Sequence, residues 1–265
     1  MSGKDLARSV CPPVLWQALS RLRQQPSRPQ RYSGRYRTYE EASRDIPASM
    51  WEHLPPDSRE TSLAALTAPR RVLAWNERLL AIALMQAART ERCTFVDFGG
   101  SFGLHLSTFL KVAGKAPYSW TIIEIPSIVD EGRKRIPPGM AIRYETEIER
   151  APRSPDLIIT SGALQYLSAP YEMIARFAAM SPKYVFIDRL PVVEITDDFL
   201  TIQHVPGRYF ADGERRDVPA WWFSRKGFFE ALENSFVIEW TAQTGEHTEV
   251  HDIPVQLEAA MLRLR

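Results

Sequence analysis

The feature that most constrains this chain is a short apolar strand running into a glycine-rich turn, Val96-Asp97-Phe98-Gly99-Gly100-Ser101-Phe102-Gly103. Cys93–Phe98 is short, apolar and β-branched, as a buried strand should be, and glycines follow it at once. Glycines permit a tight turn and a close approach of backbone to a ligand. Leu104–Val112 then has the spacing of a helix, whose first amides and positive dipole end would face the same turn. A strand, glycine turn and helix in this order make a ligand-binding loop at the edge of an α/β sheet.

The rest of the chain supports such a sheet. Val72–Arg89 has apolar residues close to the helical period. Strands are expected at Trp120–Ile125, Met140–Tyr144, Asp156–Ser161 and Tyr184–Asp188, with helices at Ser127 onward and Pro170–Met180. Ser127 and Asp130 resemble a capping box. The strands are nearly continuous apolar runs, as expected when helices cover both faces. This alternation predicts an α/β fold with a doubly wound, mostly parallel sheet. Further on, Phe199–Val205 and Phe236–Ala242 are strand-like. Val218–Phe223 is rich in aromatics, and Ser224 caps a helix to Glu233. A terminal pair of strands would close the sheet edge.

Residues 1–70 differ. The run Arg21–Arg31 holds Arg, Gln, Pro and Ser, with little to bury. Pro12–Leu22 fits one short helix. We expect 1–70 to be a partly helical N-terminal extension and 71–265 to be the main domain. Within the extension, Arg31–Ala42 is a candidate lid, its Tyr and Gly pattern lying outside the main sheet.

Composition excludes several classes. The net charge of +1 gives no bulk attraction to nucleic acid or membrane. Cys11 and Cys93 are distant in sequence, so neither a disulfide framework nor a structural zinc site is expected, and no metal is assigned. The N-terminus lacks the apolar core of a secretory signal. No apolar run approaches the roughly 20 residues of a membrane span. A cytoplasmic protein is expected.

Within the glycine motif, Asp97 would repel a pyrophosphate but not a cationic group. This favours S-adenosylmethionine over NAD or FAD. Glu124, at the end of the next strand, can accept ribose hydroxyls; a plain strand-end carboxylate is the alternative. Gly99, Gly100, Ser101 and Gly103 would cradle the ligand, with Ile125 beside Glu124. Ser161 and Gly162 follow the fourth core strand at the ligand edge and would line its methionine part.

Several pieces in order carry a family resemblance. They are Ser33-Gly34, Tyr36 and Tyr39-Glu40-Glu41-Ala42; Asp97-Phe98-Gly99-Gly100-Ser101 with Gly103; Ser161-Gly162 with Leu164-Gln165-Tyr166-Leu167; Pro182-Lys183-Tyr184 with Ile187-Asp188-Arg189; Thr201, Gln203 and Val205-Pro206; and Pro219, Trp221 and Phe223-Ser224. From about Tyr32 to Trp240 the chain resembles a family of bacterial class I methyltransferases often associated with surface-polysaccharide gene clusters. The resemblance implies a Rossmann-like, seven-stranded sheet of the class I methyltransferase type and S-adenosylmethionine as cofactor. His105 departs from it, since the family carries a small polar residue there.

Methyl transfer from a sulfonium depends chiefly on proximity and alignment, worth on the order of 7–11 kcal/mol in well-oriented systems. A base is needed only if the acceptor must lose a proton. His105, Tyr166, Asp188, Gln203 and His204 are the candidates near strand ends. Gln203 and His204 would point to opposite faces of one strand. His105 is the natural base at neutral pH, with a surface or packed histidine as its alternative. Tyr166 fits a packed helix aromatic equally well, and Asp188 a structural ion pair with a neighbour. Trp221-Trp222-Phe223 fits an acceptor wall or the core. His53, His247 and His251 receive no role. The expected activity is methyl transfer to oxygen or nitrogen of a small-molecule or sugar-like acceptor. A silent cofactor-binding protein and a NAD-dependent oxidoreductase are the alternatives. The aromatics of the C-terminal third suit either a homodimer surface or the core.

Overall fold

A computed structural model describes residues 31–46, 73, 77–88, 92–113, 116–207 and 213–265. The expected helix at Pro12–Leu22, the run Arg21–Arg31 except Arg31 itself, Cys11 and His53 lie outside them. So does most of the expected N-terminal extension.

The elements in chain order are β1 (Tyr32–Tyr36), α1 (Tyr39–Arg44), α2 (Arg78–Ala87), β2 (Cys93–Phe98), α3 (Leu104–Ala113), β3 (Tyr118–Ile123), α4 (Pro126–Lys134), β4 (Ile142–Glu145), β5 (Leu157–Ser161), α5 (Pro170–Ala179), β6 (Tyr184–Leu190), β7 (Val192–Val193), β8 (Phe199–Val205), β9 (Arg216–Ser224), α6 (Arg225–Glu233), β10 (Phe236–Val250) and β11 (Ile253–Leu264). Seven strands form the main sheet in the order β10-β11-β6-β5-β2-β3-β4. The five from β4 to β6 are parallel. β11 runs antiparallel to β6, and β10 antiparallel to β11.

Successive strand residues face opposite sides, and this divides the core in two. Phe95, Leu157, Phe186 and Met261 pack on the side of Leu80, Leu84 and Phe109. Their neighbours Val96, Ile158, Val185 and Leu262 pack on the side of Phe177, Phe228 and Leu232. Both faces are therefore covered, as the continuous apolar strands require. α2 buries Leu80, Ala83, Leu84 and Ala87, one stripe at helical spacing. Of the expected helix at Val72–Arg89, the described part is Arg78–Ala87, ending at Ala88.

Three local expectations are corrected. The Ser127–Asp130 capping box does not form: Ile125 is the N-cap and Pro126 opens α4, its fixed φ already set for the first turn. Glu124 stands just past β3 rather than inside it. The strand expected over Phe236–Ala242 continues to Val250. Its second half is an edge with alternating exposure, and a register shift between Gln243 and His247 breaks its pattern around Gly245. Ser224, by contrast, caps α6 as anticipated, accepting from the amide of Gly227. β10 and β11 are joined by His251-Asp252, both with positive φ, the geometry of a tight two-residue hairpin.

Between β6 and α6 the chain inserts β7, β8 and β9, which with β1 make a second sheet in the order β1-β8-β9-β7. Arg31–Ala42 thus lies outside the main sheet, but Tyr32–Tyr36 is a paired strand, antiparallel to β8. Thr38 caps α1 with Glu41 in a full capping box. Among the described residues no helix is long and apolar enough to cross a membrane.

Trp222 ties the second sheet to the β10–β11 hairpin. It is buried, its indole donates to Thr201 Oγ1 at 2.9 Å, and it packs with Phe199, Val250 and Val255. Removing a buried tryptophan side chain costs about 3–5 kcal/mol. Trp222→Ala should lower unfolding stability by that amount in urea titration.

Candidate functional site

The order of the main sheet reverses at β2. The chain moves outward through β3 and β4, then crosses to β5 and β6 on the other side of β2. Ligands in open α/β sheets bind in the crevice at such a switch point, outside the carboxyl ends of the strands. The loop Gly99–Gly103 follows β2, and Ser161–Leu167 follows β5, so the two flank that crevice. Left-handed backbone gathers at the same ends: Gly99 (φ +73°), Ser101 (φ +50°), Gly103 (φ +85°), Gly162 (φ +62°) and Arg189 (φ +58°). Glycine adopts this backbone freely, but Ser101 and Arg189 are strained there, and such residues persist where the surrounding structure holds them, often at ligand sites.

Two glycines are required by contact. A Cβ on Gly99 would lie 2.6 Å from that of Ala163, so the two loops touch here. A Cβ on Gly100 would collide with the Asp97 carboxylate. The loop backbone thus covers the Asp97 carboxylate, which is fully buried. Asp97 Oδ2 accepts from the Trp120 indole at 3.1 Å, and Oδ1 pairs with His105 Nδ1 at 2.8 Å. Asp97 therefore sits beneath the loop, with both oxygens engaged by the protein. Its charge meets His105 first, which differs from the exposed position that repulsion of a pyrophosphate needs.

His105, in the first turn of α3, keeps a side-chain exposure of 14%. Burial pushes its pKa down, but the Asp97 charge and hydrogen bond, with Asp188 adding to them, outweigh this and hold it above the usual value. Asp188 is close to the end of β6 and accepts from Ser161 Oγ at 3.1 Å. Burial raises its carboxyl despite that bond. Arg189 beside it pairs with Glu246 at 2.9 Å, and its Nη1 comes within 3.6 Å of the position a Gly162 Cβ would take.

Glu124 accepts from the amides of Ser101 and Ile125, each at 3.0 Å. Burial raises its pKa against those two bonds. Each carboxylate oxygen spends one lone pair on an amide and keeps another, so Glu124 can still receive ligand hydroxyls. The structure thus brings Asp97, Gly99, Gly100, Ser101, Gly103, His105, Glu124, Ile125, Ser161, Gly162 and Asp188 to one edge of the main sheet. Tyr166 and Gln203 meet across the two sheets, the phenol donating to Gln203 Oε1 at 2.8 Å. His204, next on the strand, has partners in the second sheet instead. Trp221 donates to the carbonyl of Leu167 at 3.0 Å, and Phe223 is core. No group of three His, Cys, Asp or Glu among the described residues is placed to hold a metal.

Sequence reading missed Trp120 as the partner of Asp97. Alternation puts Asp97 on the face of Phe95, among Trp120 and Phe109, and a buried carboxylate there demands a donor. The indole N–H was the available signal. The strain at Arg189 had no such signal, because arginine does not mark left-handed backbone.

No protein-family model matches the sequence, and no curated protein does. The fold is similar to solved structures at low identity. An S-adenosylmethionine-dependent methyltransferase from Clostridium acetobutylicum ATCC 824 is 10% identical, with 78% of this chain and 96% of that chain covered and a TM-score of 0.49. The mitomycin 7-O-methyltransferase MmcR is 16% identical, covering 94% and 67%, with a TM-score of 0.43. A SAM-dependent methyltransferase from Aquifex aeolicus is 14% identical, covering 77% and 98%, with a TM-score of 0.42.

The His105–Asp97 pair makes stability depend on pH. A histidine whose folded pKa is raised stabilises the fold fully below its unfolded value, 6.5, and loses that contribution as pH rises through the folded value. Glu124 and Asp188 act in the same sense, but their loss begins at 4.5 and 3.8. Urea unfolding across pH 6–9 should therefore show stability falling above about 6.5. That limb should be absent in His105→Gln.

Proposed function

We propose that the chain is an S-adenosylmethionine-dependent methyltransferase that moves the methyl group to oxygen or nitrogen of a small-molecule or sugar-like acceptor. The observation that carries this reading is the meeting, at the switch point of the sheet, of a glycine loop with a carboxylate on the neighbouring strand end. Glu124 is held by the amide of Ser101 in the glycine loop and by that of Ile125, yet keeps acceptor capacity for the ribose hydroxyls. The antiparallel β11 beside β6 supports it too. It departs from the strand order 3-2-1-4-5-6 of dinucleotide folds and suits the seven-stranded sheet that the class I resemblance implies.

The residues present fit this cofactor. Gly99 and Gly100 leave backbone, with no side chain, at the crevice. Asp188 and Glu124 make the ligand edge acidic, which suits the sulfonium and ammonium groups better than a pyrophosphate. Thr160 Oγ1, buried one residue before Ser161, has no hydrogen-bond partner among the described residues. When bound, S-adenosylmethionine supplies an electrophilic methyl group on a good leaving group. The chain's own work is then to position and to move one proton. Ser161 and Gly162 line the amino-acid end. Tyr166 and Gln203, locked together, orient the acceptor. His105 carries Asp97 on Nδ1, so its Nε2 is the atom that takes the acceptor proton, as a positioned base does.

Calorimetry tests the cofactor assignment. S-adenosylhomocysteine should bind and NAD should not. Glu124→Ala should weaken S-adenosylhomocysteine at least about tenfold, which is about 1.4 kcal/mol. Binding of NAD alone would overturn the reading, and unaltered binding by Glu124→Ala would remove Glu124 from the site.

Transfer of labelled methyl to oxygen and nitrogen nucleophiles separates an enzyme from a silent binding protein. Because the pKa of His105 is raised above 6.5, the rate should climb with pH through that higher value as imidazole loses its proton. His105→Gln should lower kcat more than it raises KM and flatten this climb. A pH profile unchanged in His105→Gln would exclude His105 as the base.

A further inference from the structure

A second constellation lies on the inserted sheet and owes nothing to the cofactor crevice. Ser33 of β1, His204 of β8 and Asp217 of β9 stand side by side on three adjacent strands. His204 is directly opposite Asp217, and Ser33, paired to Ile202, is diagonal to His204 on the same face. Ser33 Oγ is 2.7 Å from His204 Nε2, and His204 Nδ1 is 2.8 Å from Asp217 Oδ1. A hydrogen-bonded bridge across three strands needs no particular order of atoms. The order here is the one that activates a hydroxyl. The carboxylate accepts a hydrogen bond from Nδ1–H, which leaves Nε2 as the acceptor for the serine hydroxyl. Nucleophile, base and orienting carboxylate each lie within hydrogen-bond reach of the next, the geometry expected of an activated nucleophile.

The surroundings suit a reacting group. His204 and Asp217 keep side-chain exposures of 17% and 19%, so both are open to solvent. The pairing register with β8 shifts between Ser33 and Tyr36, and Gly34, exposed with φ +67°, follows the serine. β1 is the edge of its sheet among the described residues. Arg215 also holds Asp217, Nε on Oδ1 and Nη2 on Oδ2, each at 3.0 Å, and so helps to fix the carboxylate that orients the ring.

We propose that Ser33, His204 and Asp217 form a second, nucleophilic centre that accepts an acyl group from an activated ester. Ser33 Oγ bonds to the carbonyl carbon as its proton passes to His204 Nε2. The ester C–O bond then breaks, and the departing alcohol takes that proton. Water, giving its proton to the same Nε2, releases the acid and restores the serine. Ser33 and His204 are the catalytic residues. Asp217 is a positioning residue, acting through the histidine.

The test uses the full-length protein, an alkyl fluorophosphonate and p-nitrophenyl acetate. Attack on the phosphonate forms a P–O bond at Ser33 and expels fluoride. Intact mass should show one added group per chain, and peptide mapping should place it on Ser33. Ser33→Ala should abolish labelling, while His204→Ala and Asp217→Asn should slow it at least tenfold. p-Nitrophenol release should fall in parallel. The folded wild-type protein is itself decisive, so variants that fail to fold do not blunt the experiment. An unlabelled Ser33 in folded wild-type protein, or labelling as fast in folded His204→Ala, would overturn the proposal. Neither result bears on the cofactor reading, which the calorimetry tests separately.

Discussion

Burying a carboxylate is costly unless partners compensate for the lost water, and this chain buries Asp97 beneath its own glycine loop. The compensation comes from the two elements that flank the loop, the neighbouring strand and the helix that follows. Trp120 reaches in from β3, and His105 from the first turn of α3. Once these bonds form, the exit of β2, the entry of α3 and the core beside β3 are locked in one arrangement. Gly100 must then lack a side chain, because the carboxylate fills that space. The shape of the loop, the orientation of the imidazole and the raised pKa of His105 follow from one buried charge.

A division of labour runs through the rest of the molecule. The main sheet provides rigid strand ends, and the inserted second sheet brings side chains toward them. Tyr166 and Trp221 are the stitches: one donates from the loop after β5 to Gln203, the other from β9 back to the carbonyl of Leu167. β8 carries two unlike neighbours in succession. Gln203 joins the loop of the main sheet, and His204 joins the hydrogen-bonded row on its own sheet. The alternation of a strand is enough to keep these two environments apart.

Much of this was legible beforehand. Cys93–Phe98, Leu157–Ser161 and Tyr184–Asp188 are nearly continuous apolar runs, the pattern of strands covered on both faces. Ser224 before Arg225-Lys226-Gly227 announced a helix start through the chemistry of its hydroxyl. The edge of the sheet was harder. Gln243–Val250 is polar, holds Gly245 and has a register break, so its pairing comes from β11 and not from its own pattern. The second sheet was harder again. Tyr32–Tyr36 carries no strand signal by itself, and β8 decides its conformation. At the site, the glycine loop, Glu124 and the loop after β5 were visible as spacing along the chain. That Asp97 would lie under the loop was not, because its burial depends on a tryptophan and a histidine that approach in three dimensions.

The distance along the chain between the partners of the second sheet has a consequence for how the protein is made. Ser33 and His204 are 171 residues apart. β1 is synthesised before any strand of the main sheet, yet the surface that gives it a ladder appears only after β6 is complete. Contacts this remote in sequence are slow to form, because the loop must close before the pairing repays it. The main sheet, built from neighbouring strand–helix units, can assemble first and serve as the template. The row of Ser33, His204 and Asp217 therefore exists only in chains in which that long loop has closed and β1 has paired with β8.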